Sequence, residues 1–195
     1  MEELLNNIYI IIMNLISSSN TLGPILACLL IFIESIIPIL PLFVFITINF
    51  IAFGYLLGFI ISYILTILGC LFSFYLCRGL LKDYFNGKFR KNEKLDKLMK
   101  KIDKMDFSNL VILMAIPFTP AFLINIATSL SEMKLQKFGI ALIIGKLSIV
   151  FFWGFIGTSL VESLKNPKIL IIILIMLTIT YIISKIVMKK LKINW

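Results

Sequence analysis

The sequence contains no histidine, and this absence narrows the classes of function from the start. Histidine is the usual general base of enzymes and the commonest metal ligand in proteins, so hydrolytic and metal-dependent chemistry are disfavoured. The ten acidic residues do not cluster inside an apolar segment, and the chain has no glycine-rich phosphate loop or nucleophile elbow. We therefore expect a protein that is not an enzyme, binds no cofactor or metal and has no nucleic-acid partner.

Cysteine pairs and an N-terminal basic region are absent as well. The three cysteines form no C-x-x-C pair and lie in apolar runs, so we interpret them as small helix-packing residues rather than redox groups. No lysine or arginine precedes the first apolar stretch, unlike the start of a secretory signal peptide. We expect residues 1–20 to be retained as an amphipathic helix at the membrane interface.

Apolar residues, by contrast, are abundant. Sixty per cent of the 195 residues are hydrophobic and 15% are charged, and the mean hydropathy is +1.04. A soluble domain carries charges on roughly a quarter of its residues. Lipid must therefore be the main solvent, and the sequence predicts an all-α integral membrane protein with room for one membrane domain.

The first long apolar stretch covers residues 22–81 and contains only two charged residues, Glu34 and Arg78. As one straight helix it would be about three times the roughly 20 residues that cross a bilayer. Pro38 and Pro41 break it, because proline lacks an N–H and its ring clashes with the preceding turn. The pattern predicts a crossing over 22–37, a half-length re-entrant segment over 38–49 and a long, tilted crossing over 50–81.

Residues 82–106 are strongly basic, with nine Lys or Arg against five Asp or Glu. Apolar residues recur among these charges at helical spacing, which predicts an amphipathic helix on the cytoplasmic membrane surface. The apolar positions are Leu95, Leu98, Ile102 and Met105. Two interpretations stay open, namely attraction to anionic lipid and an ordinary positive loop that sets the topology.

A second charge-free stretch, residues 107–130, is cut by Pro117 and Pro120 into two legs of roughly ten residues each. Two further crossings are predicted over 138–160 and 169–184, before a lysine-rich end. The positive-inside rule places residues 82–106 and the C-terminal lysines on the same side, so an even number of crossings separates them. Residues 107–130 must then dip into the membrane and return, and both chain termini are predicted to be cytoplasmic.

The two halves of the chain look alike with opposite orientation, since each opens a re-entrant segment with the pattern P-x-x-P and continues into a long crossing. We predict an inverted repeat with about four full crossings and two re-entrant segments, the architecture of many secondary transporters. Helices that end inside a membrane leave N–H groups unpaired, so these ends must face a wet cavity or a ligand. The predicted units are residues 1–20, a membrane domain over 21–164, and a C-terminal crossing with a basic tail over 165–195.

Charged residues inside the crossings are costly in lipid and are therefore candidates for function. Glu34 is either a proton carrier or a structural partner of Arg78 or Lys146. Lys146 either binds phosphate or pairs with Glu34, or its side chain extends to the cytoplasmic surface. Arg78 either grips a lipid phosphate with two hydrogen bonds or anchors its helix at the cytoplasmic face.

The re-entrant segments supply polar candidates as well. Asn49 and Asn125 offer amide groups at the far ends of the two segments. These amides line a path for a headgroup or ion, or satisfy backbone groups freed by the prolines, or do both. The complete predicted pathway consists of Glu34, Pro38, Pro41, Asn49, Arg78, Pro117, Pro120, Asn125 and Lys146.

Three motifs carry a resemblance to a known family. They are Glu34-x-x-x-Pro38-x-x-Pro41, then Gly69 nine residues before Arg78 with Phe74 and Tyr75 between, then Pro117-x-x-Pro120-x-x-x-x-Asn125. From about Gly23 to Leu160 the chain resembles the VTT-domain proteins, that is the DedA and SNARE-associated Golgi protein superfamily, and the second P-x-x-P motif is most similar to the Tvp-type branch. The resemblance implies an inverted-repeat fold with two re-entrant hairpins. It also implies lipid scrambling, or uptake of undecaprenyl phosphate or other phospholipids.

We therefore predict that the protein translocates a phosphate-bearing lipid as a scramblase or flippase in the plasma membrane, with anionic or phosphate-bearing lipids as partners. A homo-oligomer stays open. Two alternatives from other classes are a proton- or ion-coupled small-solute transporter that uses Glu34, and a non-transporting membrane organiser that binds through residues 82–106. Leu42, Phe43 and Cys70 stand where DedA-type proteins usually carry acidic residues, which favours passive transfer over proton coupling.

Overall fold

The apolar segments of the sequence form helices. The computed structural model describes residues 22–36, 41–79, 93–119, 121–191 and 193, and within them the chain forms seven α-helices and no strand. The helices are α1 (Leu22–Ile36), α2 (Leu42–Arg78), α3 (Glu93–Asp103), α4 (Phe107–Ala115), α5 (Ala121–Leu130), α6 (Leu135–Ser163) and α7 (Lys168–Lys190). The predicted all-α class is confirmed, and the helix predicted over 1–20 lies outside the described residues.

Three of these helices, α2, α6 and α7, are long and apolar enough to cross a membrane. About four crossings were predicted, the first of them over residues 22–37. In the structure α1 has 15 residues and is about 22 Å long, shorter than the roughly 30 Å of a hydrocarbon layer. The structure thus shows three long candidate spans within the part of the chain that it describes, and a fourth crossing over 22–37 stays a prediction.

α2 is bent sharply at Gly54, whose φ of 77° and ψ of 170° lie outside the helical region. Only glycine adopts this conformation without strain. The two parts of α2 fold back on each other, because Asn49 Nδ2 donates a hydrogen bond of 3.1 Å to Ser62 Oγ, 13 residues further along. In a straight helix these residues would be about 20 Å apart. α2 thus consists of a short part, residues 42–53, and a long part, residues 55–78.

The short part of α2 lies beside α1, and we name α1 with residues 42–53 the first hairpin. Cys28 Sγ in α1 donates to Asn49 Oδ1 at 3.7 Å, which joins the two legs. α1 and the short part of α2 are therefore adjacent legs on either side of the first proline break. The sequence predicted a full crossing before this break and a re-entrant segment over 38–49 after it. The predicted end of the re-entrant segment at residue 49 differs from the structure because the chain turns at Gly54, and the proline pattern does not predict this turn.

The second proline break has the same form, and we name α4 with α5 the second hairpin. Two hydrogen bonds join its ends. The backbone N–H of Glu132 donates to Asp103 Oδ1 at 2.9 Å, and Lys137 Nζ donates to the Met105 carbonyl at 2.6 Å. The stretch from 107 to 130 therefore begins and ends at the same end of the molecule.

Each hairpin packs its first leg against the long helix that follows it. A Cβ at Gly69 would lie 2.6 Å from Cβ of Ser35 in α1, and a Cβ at Gly145 would lie 2.6 Å from Cβ of Met114 in α4. Ser35 and Met114 both stand three residues before the first proline of their P-x-x-P motif. Matched contacts at matched positions show that the two halves share a packing scheme.

The second leg of each hairpin packs against the long helix of the other half. Thr47 and Phe50 occupy the space beside Gly157 and Gly154 of α6, where any Cβ would collide with them. α5 packs in the same way against the long part of α2. Because the two halves exchange these legs, both proline breaks are brought towards the same region of the molecule.

The apolar face of α3 is covered by other helices of the protein. Leu98, Ile102 and Met105 are buried in a cluster that includes Ile124 of α5 and Phe138 of α6. The apolar face of the predicted surface helix therefore packs on the protein core, and its position on the membrane surface stays a prediction. Residues 82–92 of the predicted basic segment lie outside the described residues.

α7 packs against α6 and leaves most of its surface open. Its exposed residues are aliphatic or aromatic over several turns, as expected for a helix that faces lipid. They include Ile171, Leu174, Ile175, Ile179, Tyr181, Ile182 and Ile186. The crossing predicted over 169–184 falls within this candidate span.

Candidate functional site

A cavity of about 440 Å³ lies where the two proline breaks meet. Its walls come from the end of α1, from both parts of α2, from the break at 116–119, and from α5 and α6. Four residues of the predicted pathway line it, namely Glu34, Pro117, Asn125 and Lys146. Residues that are more than 100 positions apart in sequence thus form one polar site inside an apolar helical bundle.

Lys146 is the most buried charge of this site, with 4% of its surface exposed. Its ammonium makes no hydrogen bond or direct ion pair with any residue that the structure describes. In the described chain, the one side-chain polar atom that is both fully enclosed and without a partner is Ser184 Oγ. Lys146 Nζ also has no partner, so it is not fully enclosed and opens onto the cavity that Lys146 lines. Burying an unpaired cation is costly, and the cavity is therefore suited to an anion.

Glu34 lines the same cavity from the last turn of α1. Its carboxylate and the Lys146 ammonium attract each other through space. No direct ion pair joins them among the described residues, so the predicted pairing of Glu34 with Lys146 takes the form of a longer-range attraction across the site. Arg78, the other predicted partner of Glu34, does not line the cavity.

Asn125 connects the cavity to the long part of α2. Its Nδ2 donates to Cys70 Sγ at 3.3 Å, and both residues line the cavity. Small buried side chains at this contact let α5 approach α2 closely. The amide is thereby held at a defined position on the cavity wall.

Two helices begin at the cavity. α2 starts at the lining residue Leu42, and α5 starts at Ala121, between the lining residues Thr119 and Phe122. The first N–H groups of a helix have no intrahelical partner, and a helix N-terminus carries about half a positive charge. Both helix starts therefore add to the preference of this cavity for a negatively charged group.

One wall of the cavity is aromatic and contains an unusual backbone conformation. Phe118 has a φ of 66°, which non-glycine residues adopt at a cost on the order of 1–3 kcal/mol. Its ring contacts Trp153 of α6 and Tyr181 of α7 edge to face, with centroid distances of 5.6 and 6.0 Å. These contacts hold the strained residue in place and join α7 to the cavity wall.

The other described residues of the predicted pathway do not line this cavity. Asn49 is fully buried and holds the first hairpin together through Cys28 and Ser62. Pro41 is exposed and precedes the first turn of α2. Pro38 and Pro120 lie outside the described residues.

Arg78 caps the C-terminal end of α5. Its Nε donates to the Ser129 carbonyl at 2.9 Å, and its Nη2 donates to the carbonyls of Thr128 and Ser131 at 3.2 and 2.7 Å. The guanidinium also lies 4.3 Å from the ring centroid of Phe74. A cation at this position satisfies carbonyls that have no intrahelical partner and fixes the second hairpin to α2. Its predicted grip on a lipid phosphate stays a prediction.

Cys70, Phe118 and Trp153 line the cavity although the sequence did not single them out as site residues. Trp153 follows Lys146 by seven positions, so helical periodicity placed both on one face of α6 and offered a usable signal. Phe118 lies between Pro117 and Pro120, and no local sequence pattern predicts its positive φ. Cys70 is identified only by its contact with Asn125, which joins distant segments.

The family model named VTT domain matches residues 37–159, more than half of the 195 residues. The chain belongs to the VTT-domain family. The match includes Asn125, Lys146 and Trp153, so most of the cavity wall lies in the VTT domain, whereas Glu34 and Tyr181 lie outside the matched residues. The predicted family is thus confirmed, and the likeness to the Tvp-type branch stays a prediction.

Two curated relatives are similar to this VTT-domain chain. The uncharacterized membrane protein YhjE of Bacillus subtilis is 31% identical over 171 residues, which cover 88% of this chain and 83% of YhjE. The transmembrane protein 41 homolog of Dictyostelium discoideum is 28% identical over 151 residues, 73% of this chain but only 44% of that longer protein. No solved structure matches the chain significantly. Family and apolar helices together make this an integral membrane protein.

Proposed function

We propose that this protein translocates a phosphate-bearing lipid across the membrane and does so without catalysing a chemical reaction. The observation that carries the proposal is the cavity between the proline breaks, into which the buried, unpaired ammonium of Lys146 opens. A headgroup phosphate would bind there, next to the N-terminal ends of α2 and α5. The acyl chains would stay among the apolar helices and the surrounding lipid.

The proposed topology keeps the re-entrant architecture with corrected boundaries. Both hairpins enter the membrane and leave by the side they came from, the first from outside and the second from the cytoplasm. The long part of α2, α6 and α7 then provide the crossings, so α1 begins outside, in contrast to the cytoplasmic N-terminus predicted from the sequence. This arrangement places residues 82–106 and the C-terminal lysines in the cytoplasm, as the positive-inside rule requires. The contacts of Asp103 with Glu132 and of Met105 with Lys137 support it, since they hold both ends of the second hairpin together.

Labelling of single added cysteines from each side of the membrane tests this topology. Lys104→Cys and Glu132→Cys are expected to react with a membrane-impermeant maleimide only from the cytoplasmic side, because both positions are exposed at the same end of the second hairpin. Asn166→Cys, in the exposed turn between α6 and α7, should react only from outside. The parent protein supplies the background from its own cysteines. Reaction of Lys104→Cys and Glu132→Cys from opposite sides would exclude a re-entrant second hairpin.

The transport proposal is tested with purified protein in lipid vesicles. A trace of phospholipid labelled on its acyl chain is added, and a membrane-impermeant reductant destroys the label in the outer leaflet. We expect complete loss of fluorescence with the protein and loss of about half without it. Asn125→Ala should slow transfer about fivefold, because one hydrogen-bonding group on the path is removed.

Asn166→Ala is the matched control, since Asn166 is exposed in a turn away from the cavity. It should transfer lipid at the parental rate. Identical fluorescence decay in protein-containing and empty vesicles would refute lipid translocation.

A proton- or ion-coupled carrier is a second candidate, favoured by the position of Glu34 in the same cavity as Lys146. It predicts ion or proton flux in vesicles that carry no labelled lipid, and loss of this flux in Glu34→Gln. Lipid transfer that continues unchanged when the pH gradient is collapsed separates the first candidate from the second.

A further inference from the structure

The cavity contains one positive and one negative side chain. Lys146 and Glu34 are the only charged residues among the described residues that line it. They attract each other, yet no direct ion pair joins them in the described chain, so each is available to a charged ligand group. The side chains of the cavity therefore carry no net charge, although the two charges are separated in space.

The helix ends divide the cavity in the same way. Glu34 lies in the last turn of α1, where carbonyl groups without intrahelical partners add a partial negative charge. Lys146 lines the side of the site formed by Thr119 and Asn125, next to the start of α5, which adds a partial positive charge. The start of α2 at Leu42 adds a second partial positive charge, so Glu34 with the end of α1 favours a cation while Lys146 and the two helix starts favour an anion.

The net charge of the ligand decides the cost of entering such a site. Because Glu34 already offsets Lys146, a lipid with net negative charge finds only the partial charges of the helix starts to compensate it in a low-dielectric region. A phosphodiester lipid with an amine in its headgroup brings no net charge. Its phosphate would bind Lys146 and its ammonium would bind Glu34, so that two separate ion pairs form.

The size and the aromatic wall of the cavity fit such a headgroup. A volume of about 440 Å³ is within the range of small-molecule sites in proteins. The rings of Phe118 and Trp153 line the cavity, and aromatic faces attract ammonium groups. On the basis of the proposed function, we propose that this site selects phosphodiester lipids whose headgroup carries an amine, and discriminates against lipids of net negative charge.

The test compares three lipids in the vesicle assay. Phosphatidylethanolamine, phosphatidylglycerol and phosphatidate carry the same acyl-chain label, so that only the headgroup differs, and the host vesicle consists of phosphatidylcholine. The parent protein is expected to transfer phosphatidylethanolamine about tenfold faster than either anionic lipid. Glu34→Gln leaves Lys146 uncompensated and should reverse this order, so that phosphatidylglycerol moves faster than phosphatidylethanolamine.

Glu162→Gln is the matched control, because Glu162 is an exposed carboxylate of α6 that does not line the cavity. It should keep the parental order of the three lipids. Equal rates for the three lipids, or a Glu34→Gln variant that slows all of them by one factor, would overturn the headgroup selection while leaving lipid translocation intact. Absence of transfer for every lipid would overturn both.

Discussion

Lys146→Met is expected to slow phospholipid transfer in reconstituted vesicles by about 30-fold or more, while the protein stays folded. Losing the charged partner of a buried anion costs about 2–5 kcal/mol, and each 1.4 kcal/mol is a tenfold change in rate. Methionine is unbranched, fits irregular spaces and introduces no charge. Because the ammonium has no direct ion pair in the described chain, its removal should not lower the thermal unfolding midpoint.

Two further variants separate charge from shape at this position. Lys146→Arg keeps a cation on α6 and should retain most of the transfer activity. Lys134→Met removes an exposed lysine that precedes α6 and should leave transfer unchanged. Parental activity of Lys146→Met would show that the cavity does not bind the phosphate. Loss of activity together with loss of folded protein would identify Lys146 as a structural residue instead.

Gly58→Ala is expected to lower the thermal unfolding midpoint of the purified protein by roughly 10 °C. A Cβ at this position would lie 2.5 Å from the Asn49 carbonyl oxygen and 2.7 Å from the Cα of Phe50, and backbone atoms cannot move aside without opening the fold at Gly54. Such overpacking costs about 3 kcal/mol, which corresponds to a shift of this size in a chain of this length.

Gly139→Ala supplies the matched control for this substitution. Gly139 lies in α6 with nothing within 4 Å of its Cβ position. Alanine there should raise stability by about 1 kcal/mol, since it has a higher helix propensity than glycine. Equal stability of the two variants would contradict the sharp return of α2 at Gly54 and with it the first hairpin.

Local chemistry was sufficient to predict the parts of the site that depend on single residues. Proline interrupts the interior of a helix, so both breaks were placed at the P-x-x-P motifs before any contact was known. A charge in an apolar run is costly whatever surrounds it, which singled out Glu34 and Lys146. The structure places both in one cavity, together with Pro117 and Asn125.

Predictions that depended on what a residue packs against were less secure. The apolar face of α3 has the same spacing whether lipid or α5 covers it, and the structure shows α5. The sequence left open whether Arg78 grips a lipid phosphate or anchors its helix, and it gave no sign of the three carbonyls of the 128–131 region that lie beside Arg78 in space. Periodicity describes one helix at a time and carries no information about its neighbours.

The sequence by itself determined that the chain is a helical membrane protein, that its helices are interrupted at two proline motifs, and which rare charges lie in the apolar segments. These properties follow from the solvation cost of charge and from the missing N–H of proline, both of which act within a few residues. Only the tertiary structure decided that α1 and the residues before Gly54 form one hairpin, and that both breaks meet around Lys146. Contacts such as Asn49 with Ser62 and Asn125 with Cys70 set that arrangement, and they exist only after distant segments have packed together.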